Sequence, residues 1–190
     1  MGGQAPAGPG LGRIEAFSDG IIAAVILITI LELRLPEALD DVQLLDLLPV
    51  VFSYALSFVV LMVMWTNHHR LLHLAERATP ALVWANALLL FCLSFVPFVT
   101  GMLSGGPLRP LAAALYGGVM ACCAGAFLVL RLSVAAQGGG LARRALGRSV
   151  AGVVLYGASV PLSFLSPRIA LAIFVAVPVL FTVAAARGPA

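Results

Sequence analysis

Residues 13–36 read RIEAFSDGIIAAVILITILELRLP, and this stretch decides the fold class of the chain. It is long enough to cross a bilayer as a helix, since about 20 mostly apolar residues, rising about 1.5 Å each, span the hydrocarbon core. Ser18, Asp19 and Gly20 nevertheless lie within its first turns. A lone carboxylate is costly in lipid, so we expect Asp19 to face protein or water and to have a partner.

The composition of the whole chain agrees with a membrane protein. Of 190 residues, 62% are hydrophobic and 10% are charged, and the mean hydropathy is +1.08. Soluble domains average about 25% charged residues, so this chain needs lipid as its solvent. Its basic residues are arginines scattered between apolar runs, which excludes a nucleic-acid partner. The three cysteines have no C-x-x-C spacing and predict no zinc or redox site.

Apolar runs with polar or Gly/Pro boundaries predict an all-α membrane protein with six transmembrane helices. Barrel strands would be shorter and would alternate, so helices are favoured. The helices belong to a single domain over residues 13–187, preceded by a Gly/Pro-rich N-terminal tail, 1–12, that we expect to be disordered. Their approximate ranges are 13–35, 44–66, 80–103, 110–131, 148–165 and 169–187.

The positions of the arginines predict the orientation. With the amino end inside, the inner side carries Arg13, Arg70, Arg77, Arg131, Arg143, Arg144, Arg148 and Arg187, and the outer side carries Arg34, Arg109 and Arg168. The acidic first loop, with Glu37, Asp40, Asp41 and Asp46, then lies outside. The positive-inside rule therefore predicts a multi-pass protein of the cell (plasma) membrane with both termini cytoplasmic.

The end of the second helix is predicted to supply the partner of Asp19. It reads WTNHHRLLHL over residues 65–74 and returns to the membrane level of FSDG. Its side chains can donate hydrogen bonds to a carboxylate. We therefore expect a polar network between the first two helices that includes Ser18, Asp19, Trp65, Asn67, His68 and His69.

Two histidines of this segment have metal-binding spacing. His69 and His73 lie four residues apart and share a helix face, a spacing that can hold a metal or haem. No second pair of ligands stands out in the sequence, so interfacial or network histidines are favoured and no metal site is predicted.

The segment RIEAFSDG, residues 13–20, resembles the R-x-x-x-F-S-D-G signature of the transmembrane protein 175 family of potassium channels, in its prokaryotic branch. The acidic first loop, the NHHR motif and the six spans are also similar. The resemblance implies a homotetramer in the lipid bilayer, with one central pore lined by the first helix of each subunit. It implies potassium as the permeant ion and no cofactor. It also implies that Arg13, Phe17, Ser18 and Asp19 pack against the second helix and hold the first helix in place.

Two faces of the first helix compete for the pore. One carries most of the polar atoms, and its pattern alone favours contact with water; its members are Glu15, Ser18, Ile22, Val25, Thr29 and Glu32. The other is apolar and matches the family's pore face when aligned on FSDG; its members are Gly20, Ala24, Leu27, Ile28 and Leu31. Ordinary helix packing is the alternative for both.

We predict that Ala24, Leu27, Ile28 and Leu31 line the pore. They would form a hydrophobic constriction, which can gate by dewetting, in place of a carbonyl filter, since the chain lacks the pentapeptide TVGYG. Relatives usually place a large aliphatic residue at the position of Ala24 and often a threonine at that of Leu27. This exchange moves the expected tightest point outward, to Leu27, Ile28 and Leu31.

Other functional classes have weaker support. A proton-coupled secondary transporter or proton-conducting channel is the alternative, but a transporter needs ionisable residues near the midplane, and helices three to six have none away from their ends. A membrane enzyme would need a nucleophile or metal beside Asp19, and the adjacent Ser18 points about 100° away on a helix. No catalytic residue is therefore predicted. An assembly or scaffold protein, with no flux at all, is a further alternative.

Overall fold

A computed structural model describes residues 10–33, 47–105, 107–138 and 140–186. These residues form α-helices and, within those ranges, no β-strand. The helices are α1 (Leu11–Leu31), α2 (Leu48–Leu72), α3 (Pro80–Leu93), α4 (Val96–Ser104), α5 (Pro110–Ala135), α6 (Gly140–Arg144), α7 (Leu146–Leu165) and α8 (Pro167–Ala186). Most of the predicted tail, the acidic first loop, Arg34 and Arg187 lie outside the described residues.

The described helices confirm an all-α membrane protein. Five segments are long and apolar enough to cross a bilayer, and part of α8 forms a shorter apolar helix. The five are Leu11–Leu31, Leu48–Leu72, Pro80–Ser104, Pro110–Ala135 and Gly140–Leu165, and the shorter one is Pro167–Thr182. Each of the six predicted spans therefore overlaps one helix or, for the third span, two consecutive helices.

The bounds of several helices differ from the sequence prediction. α1 begins at Leu11, inside the predicted tail, and α2 continues to Leu72, beyond the approximate span 44–66 and within the last turns expected over residues 65–74. The third predicted span, 80–103, is divided into α3 and α4 at residues 94–95. Pro97 explains the division, because proline lacks an N–H and its ring clashes with the carbonyl four residues earlier.

α5 lies at the centre of the bundle and packs against α3, α4, α7 and α8. Small residues allow the close approach: at Gly117 an added Cβ would collide with the Ser159 hydroxyl of α7. Tyr116 of α5 and Phe174 of α8 are fully buried, and their ring centroids lie 4.8 Å apart. These packed helices form a framework, and α1 lies on one side of it.

A cluster of buried hydroxyls links α2 to this framework. Ser57 Oγ lies 2.8 Å from Thr100 Oγ1 of α4 and 3.1 Å from the Tyr116 hydroxyl of α5. Thr100 also donates to the Val96 carbonyl of its own helix. Within a bilayer such bonds between helices contribute about 0.6 kcal/mol each on average.

α1 lies at the margin of the bundle and contacts α2, α3 and α4. One face is buried against them and consists of Ile14, Ser18, Ile22, Val25 and Thr29, at spacings of three and four residues. That spacing is the repeat of a single helix face. The opposite face is left uncovered by the rest of the subunit, so α1 presents one anchored and one exposed side.

Candidate functional site

The polar face of α1 is turned into the subunit. Ser18 and Thr29 are fully buried, and Ile22 and Val25 are 2% and 4% exposed. The hydroxyls need no water, because Ser18 donates to the Ile14 carbonyl and Thr29 to the Val25 carbonyl, both at 2.7 Å. The interpretation from pattern alone, that this face meets water, is therefore wrong for its buried members.

The apolar face of α1 is uncovered. Gly20 and Ala24 are exposed, and the exposed fractions of Leu27, Ile28 and Leu31 are 66%, 46% and 80%. All four residues predicted to line a pore are thus accessible within one subunit. In a multi-pass protein, an exposed apolar face of this kind lies against lipid, another copy of the chain, or a water-filled path.

Two acidic residues of α1 meet an aromatic row on α2. Trp65 Nε1 donates to Asp19 Oδ1 at 2.8 Å. One turn away, Glu15 Oε1 lies 2.7 Å from His69 Nδ1 and 3.5 Å from His73 Nε2. Moving from Asp19 to Glu15 goes back four residues along α1, and moving from Trp65 to His69 goes forward four along α2, so the two helices run antiparallel. Asp19 therefore has a protein partner, and this contact joins the first two helices.

A second chain of bonds joins α1, α3 and α2. Asn86 of α3 is 3% exposed and His68 is 1% exposed. The His68 Nε2 atom lies 2.7 Å from Asn86 Oδ1, which can only accept, so Nε2 carries the proton. Asn86 Nδ2 then donates to Ser18 Oγ at 2.9 Å, and Ser18 donates onward to the Ile14 carbonyl. Each link of the chain therefore pairs one donor with one acceptor, while His68 Nδ1 has no hydrogen-bond partner among the described residues.

Asn86 is the residue that the sequence analysis missed. It holds the centre of the chain of bonds, between His68 and Ser18, which do not bond each other directly. The signal was present, because Asn86 is the one amide in the apolar sequence of α3, PALVWANALLLFCL. A polar side chain at membrane depth is in itself a reason to expect a partner.

Three predicted network residues lie elsewhere. Arg13 is exposed, and its side chain has no hydrogen bond or ion pair to the described residues. Phe17 is 63% exposed. Asn67 donates to the Val63 carbonyl of its own helix at 2.8 Å and not to Asp19. The polar contacts therefore divide the predicted set. Partners on another helix are found for Ser18, Asp19, Trp65, His68 and His69, and none is found among the described residues for Arg13, Phe17 or Asn67.

The site is suited to positioning and not to covalent chemistry. Its polar groups are an amide, an indole, imidazoles, a hydroxyl and carboxylates, and most of their contacts are with one another. Such a network specifies one register between helices, since a slip leaves buried polar groups unpaired. It fixes α1 on one side, so that the position of the opposite, apolar side is also fixed.

Comparisons with known sequences agree on one family. Residues 13–97 match the family described as "Endosomal/lysosomal potassium channel TMEM175". Two curated relatives, each named as a potassium channel, come from a Chryseobacterium species and from Chamaesiphon minutus. Each is 38% identical, over 106 residues (56% of this chain) and 125 residues (61% of this chain) respectively. The chain spans 55% and 62% of the length of these two relatives.

Solved structures share the architecture. A crystal structure of a lysosomal potassium-selective channel TMEM175 homolog from Chamaesiphon minutus has a TM-score of 0.83 and 32% identity, and covers 91% of this chain and 96% of its own. A variant of the potassium channel MtTMEM175, in complex with a nanobody–MBP fusion, has a TM-score of 0.64. Its identity is 15%, with 92% and 93% of the two chains covered, so this second likeness shows the fold alone.

Proposed function

This chain belongs to the TMEM175 family, as its residues 13–20 predicted, and from that membership we propose that it is a potassium-permeable cation channel. The channel is a homotetramer in the cell membrane, with both termini cytoplasmic. Potassium is the permeant ion, and no cofactor or catalytic residue takes part. The proposed number of subunits rests on the sequence resemblance to the family, and the proposed orientation rests on the distribution of the arginines.

One observation carries the proposed pore face: α1 is buried on one side and uncovered on the other. The buried side is held by α2, α3 and α4, so it cannot line a path without breaking the polar network. The uncovered side carries Leu27, Ile28 and Leu31. A single helix cannot enclose a path, and several copies of α1 around an axis can.

The proposed barrier is apolar. Leu27 and Leu31 lie one turn apart, and Ile28 lies beside them. Four copies of these side chains form a narrow collar in which water is poorly held. An ion passes only by shedding part of its hydration or when the collar widens, and a constriction of this type gates by dewetting. The selectivity of the channel then depends on the size of the collar and not on a fixed set of oxygen ligands.

Ion flux into liposomes tests the function. Purified protein is reconstituted, and potassium, sodium and proton fluxes are measured in separate gradients. We expect potassium flux to exceed sodium flux and not to require a proton gradient. Saturating potassium movement that is driven by a proton gradient would indicate the transporter alternative. The absence of any cation flux would overturn the proposal.

Shortening the side chains that form the collar tests the proposed pore face. We expect Leu31→Ala, and likewise Leu27→Ala, to raise cation leak or lower the potassium-to-sodium flux ratio severalfold, because a wider collar holds water more easily. Leu165→Ala on α7 is the matched control, since Leu165 is 79% exposed and Leu31 is 80% exposed. Unchanged flux in both α1 variants would show that this face of α1 does not line the path.

A further inference from the structure

A cluster of metal-ligand side chains lies where α1 meets α2. Glu15, His69 and His73 each offer one ligand atom, and these atoms lie within 4.8 Å of one another. His69 Nε2 lies 3.1 Å from His73 Nε2, and Glu15 Oε1 lies 3.5 Å from the same His73 nitrogen. The three side chains come from two different helices, so their convergence is a product of the tertiary fold.

Two distances within the cluster, both to His73 Nε2, fit a tetrahedral metal site. Zinc binds imidazole nitrogens and carboxylate oxygens at about 2.0–2.1 Å, which places neighbouring ligand atoms about 3.3 Å apart. The two distances to His73 Nε2, 3.1 Å and 3.5 Å, lie on either side of that value. Two histidines four residues apart on a helix present their rings on one face, as His69 and His73 do.

One buried ring nitrogen of the cluster has no hydrogen-bond partner among the described residues. Glu15 Oε1 lies 2.7 Å from His69 Nδ1, yet that buried nitrogen has no partner with hydrogen-bond geometry among the described residues. The contact is therefore close but lacks hydrogen-bond alignment. The Nε2 atoms of His69 and His73 lie 3.1 Å apart, so both face the same small space between the rings.

We propose that Glu15, His69 and His73 form a binding site for a transition-metal dication of the Zn²⁺ type, with water as the fourth ligand. The His73 side chain is 61% exposed, which leaves an entry path for the ion and room for the water. Two nitrogens and one oxygen favour zinc and its neighbours over magnesium or calcium, which prefer all-oxygen sites. The proposal is independent of ion conduction.

Binding would join α1 to α2 at the Glu15–His69–His73 cluster, in addition to the Asp19–Trp65 bond. The cluster lies one turn from the Asp19–Trp65 bond, so a bound ion would reinforce the anchored side of α1. A ligand that binds only the folded protein also raises its resistance to unfolding, in proportion to the logarithm of its concentration over Kd. The metal therefore has two readouts that need no flux measurement: binding itself and thermal stability.

Zinc titration of purified, chelator-washed protein carrying no histidine tag tests the site. We expect wild-type protein to bind one Zn²⁺ per chain, with no equivalent binding of Mg²⁺. His73→Gln and Glu15→Gln should each weaken zinc binding at least about tenfold. Mutation of a residue that only hydrogen-bonds to a metal ligand already weakens metal binding by about 10–100-fold. The melting temperature should rise with zinc in the wild type and not in either variant.

Controls separate this site from other metal-binding groups. Glu76→Gln removes an exposed carboxylate shortly after α2 and should leave zinc binding unchanged. Cys122→Ser removes an exposed thiol and should do the same. His73 is exposed, so His73→Gln is expected to fold, and its melting temperature without metal verifies this. Zinc binding as tight in His73→Gln as in the wild type, or no binding by the wild type at micromolar zinc, would overturn the proposal.

Discussion

Replacing Asn86 by alanine is the most direct test of how α1 is held. Asn86 accepts from His68 and donates to Ser18, so this one side chain links α2 to α1 through α3. In Asn86→Ala both bonds are lost. Ser18 still donates to the Ile14 carbonyl at 2.7 Å, but the proton on His68 Nε2 loses its acceptor in a side chain that is 1% exposed.

The expected loss follows from these two bonds. Hydrogen bonds between helices in a bilayer contribute about 0.6 kcal/mol each on average and about 1.7 kcal/mol at most. A buried donor left without a partner costs about 1–3 kcal/mol. We therefore expect Asn86→Ala to lower the free energy of unfolding by about 1–3 kcal/mol. A double variant with Ser18→Ala should lose less than the sum of the single variants, because the two side chains share one bond.

Unfolding in mixed detergent–SDS micelles, followed by helical circular dichroism, measures this loss. Protein concentration is held fixed, because the stability of an oligomer depends on it. Asn67→Ala is the matched control, since the one bond of its half-buried amide among the described residues is to the Val63 carbonyl of its own helix. Its expected loss is below about 0.5 kcal/mol, typical of changes away from special features. Equal losses in Asn86→Ala and Asn67→Ala would refute the anchoring role of Asn86.

Two further substitutions test the same side of α1. Trp65→Phe keeps an aromatic ring but removes the N–H that donates to Asp19 at 2.8 Å, and we expect a loss of about 1 kcal/mol in the free energy of unfolding, as for a typical hydrogen bond. Gly101→Ala would place a Cβ 2.8 Å from the Glu32 carbonyl oxygen, so we expect it to push α4 and the end of α1 apart. Overpacking of this kind costs about 1–3 kcal/mol, measured in the same micelle titration.

The chain offers a control for each of these substitutions. Trp84 is 75% exposed, so Trp84→Phe should change stability little. Gly118 has nothing within 4 Å of an added Cβ, and Gly118→Ala on α5 should be neutral or slightly stabilising because alanine has the higher helix propensity. If Trp65→Phe or Gly101→Ala is as mild as its control, the corresponding contact does not hold α1.

The sequence predicted the partner of Asp19 in the last turns of the second helix, residues 65–74, which extend beyond the approximate span 44–66. Residues 65–72 contain Trp65, Asn67, His68 and His69, and polar residues at the end of an apolar run usually mark the membrane surface. Here α2 continues to Leu72, because several of these groups bond α1 and α3 and need no water. The extent of a helix thus depended on neighbours that the local pattern does not contain.

The polar pattern of α1 was misleading for a related reason. Ser18 and Thr29 resemble a water-facing stripe in the sequence, yet each hydroxyl donates to a carbonyl of its own helix. A serine or threonine satisfied in this way can be buried at little cost. The alignment on FSDG chose the opposite, apolar face, which the structure leaves uncovered.

The sequence by itself determined the class of protein, the six helical spans and the family, because hydropathy over about 20 residues and a short signature are local properties. Only the tertiary structure decided which side of α1 is anchored, that Asn86 connects His68 to Ser18, and that Glu15 meets His69 and His73. These are contacts between residues far apart in the chain, or on separate helices. Whether such side chains meet depends on the rotation and register of packed helices, and no single helix encodes these.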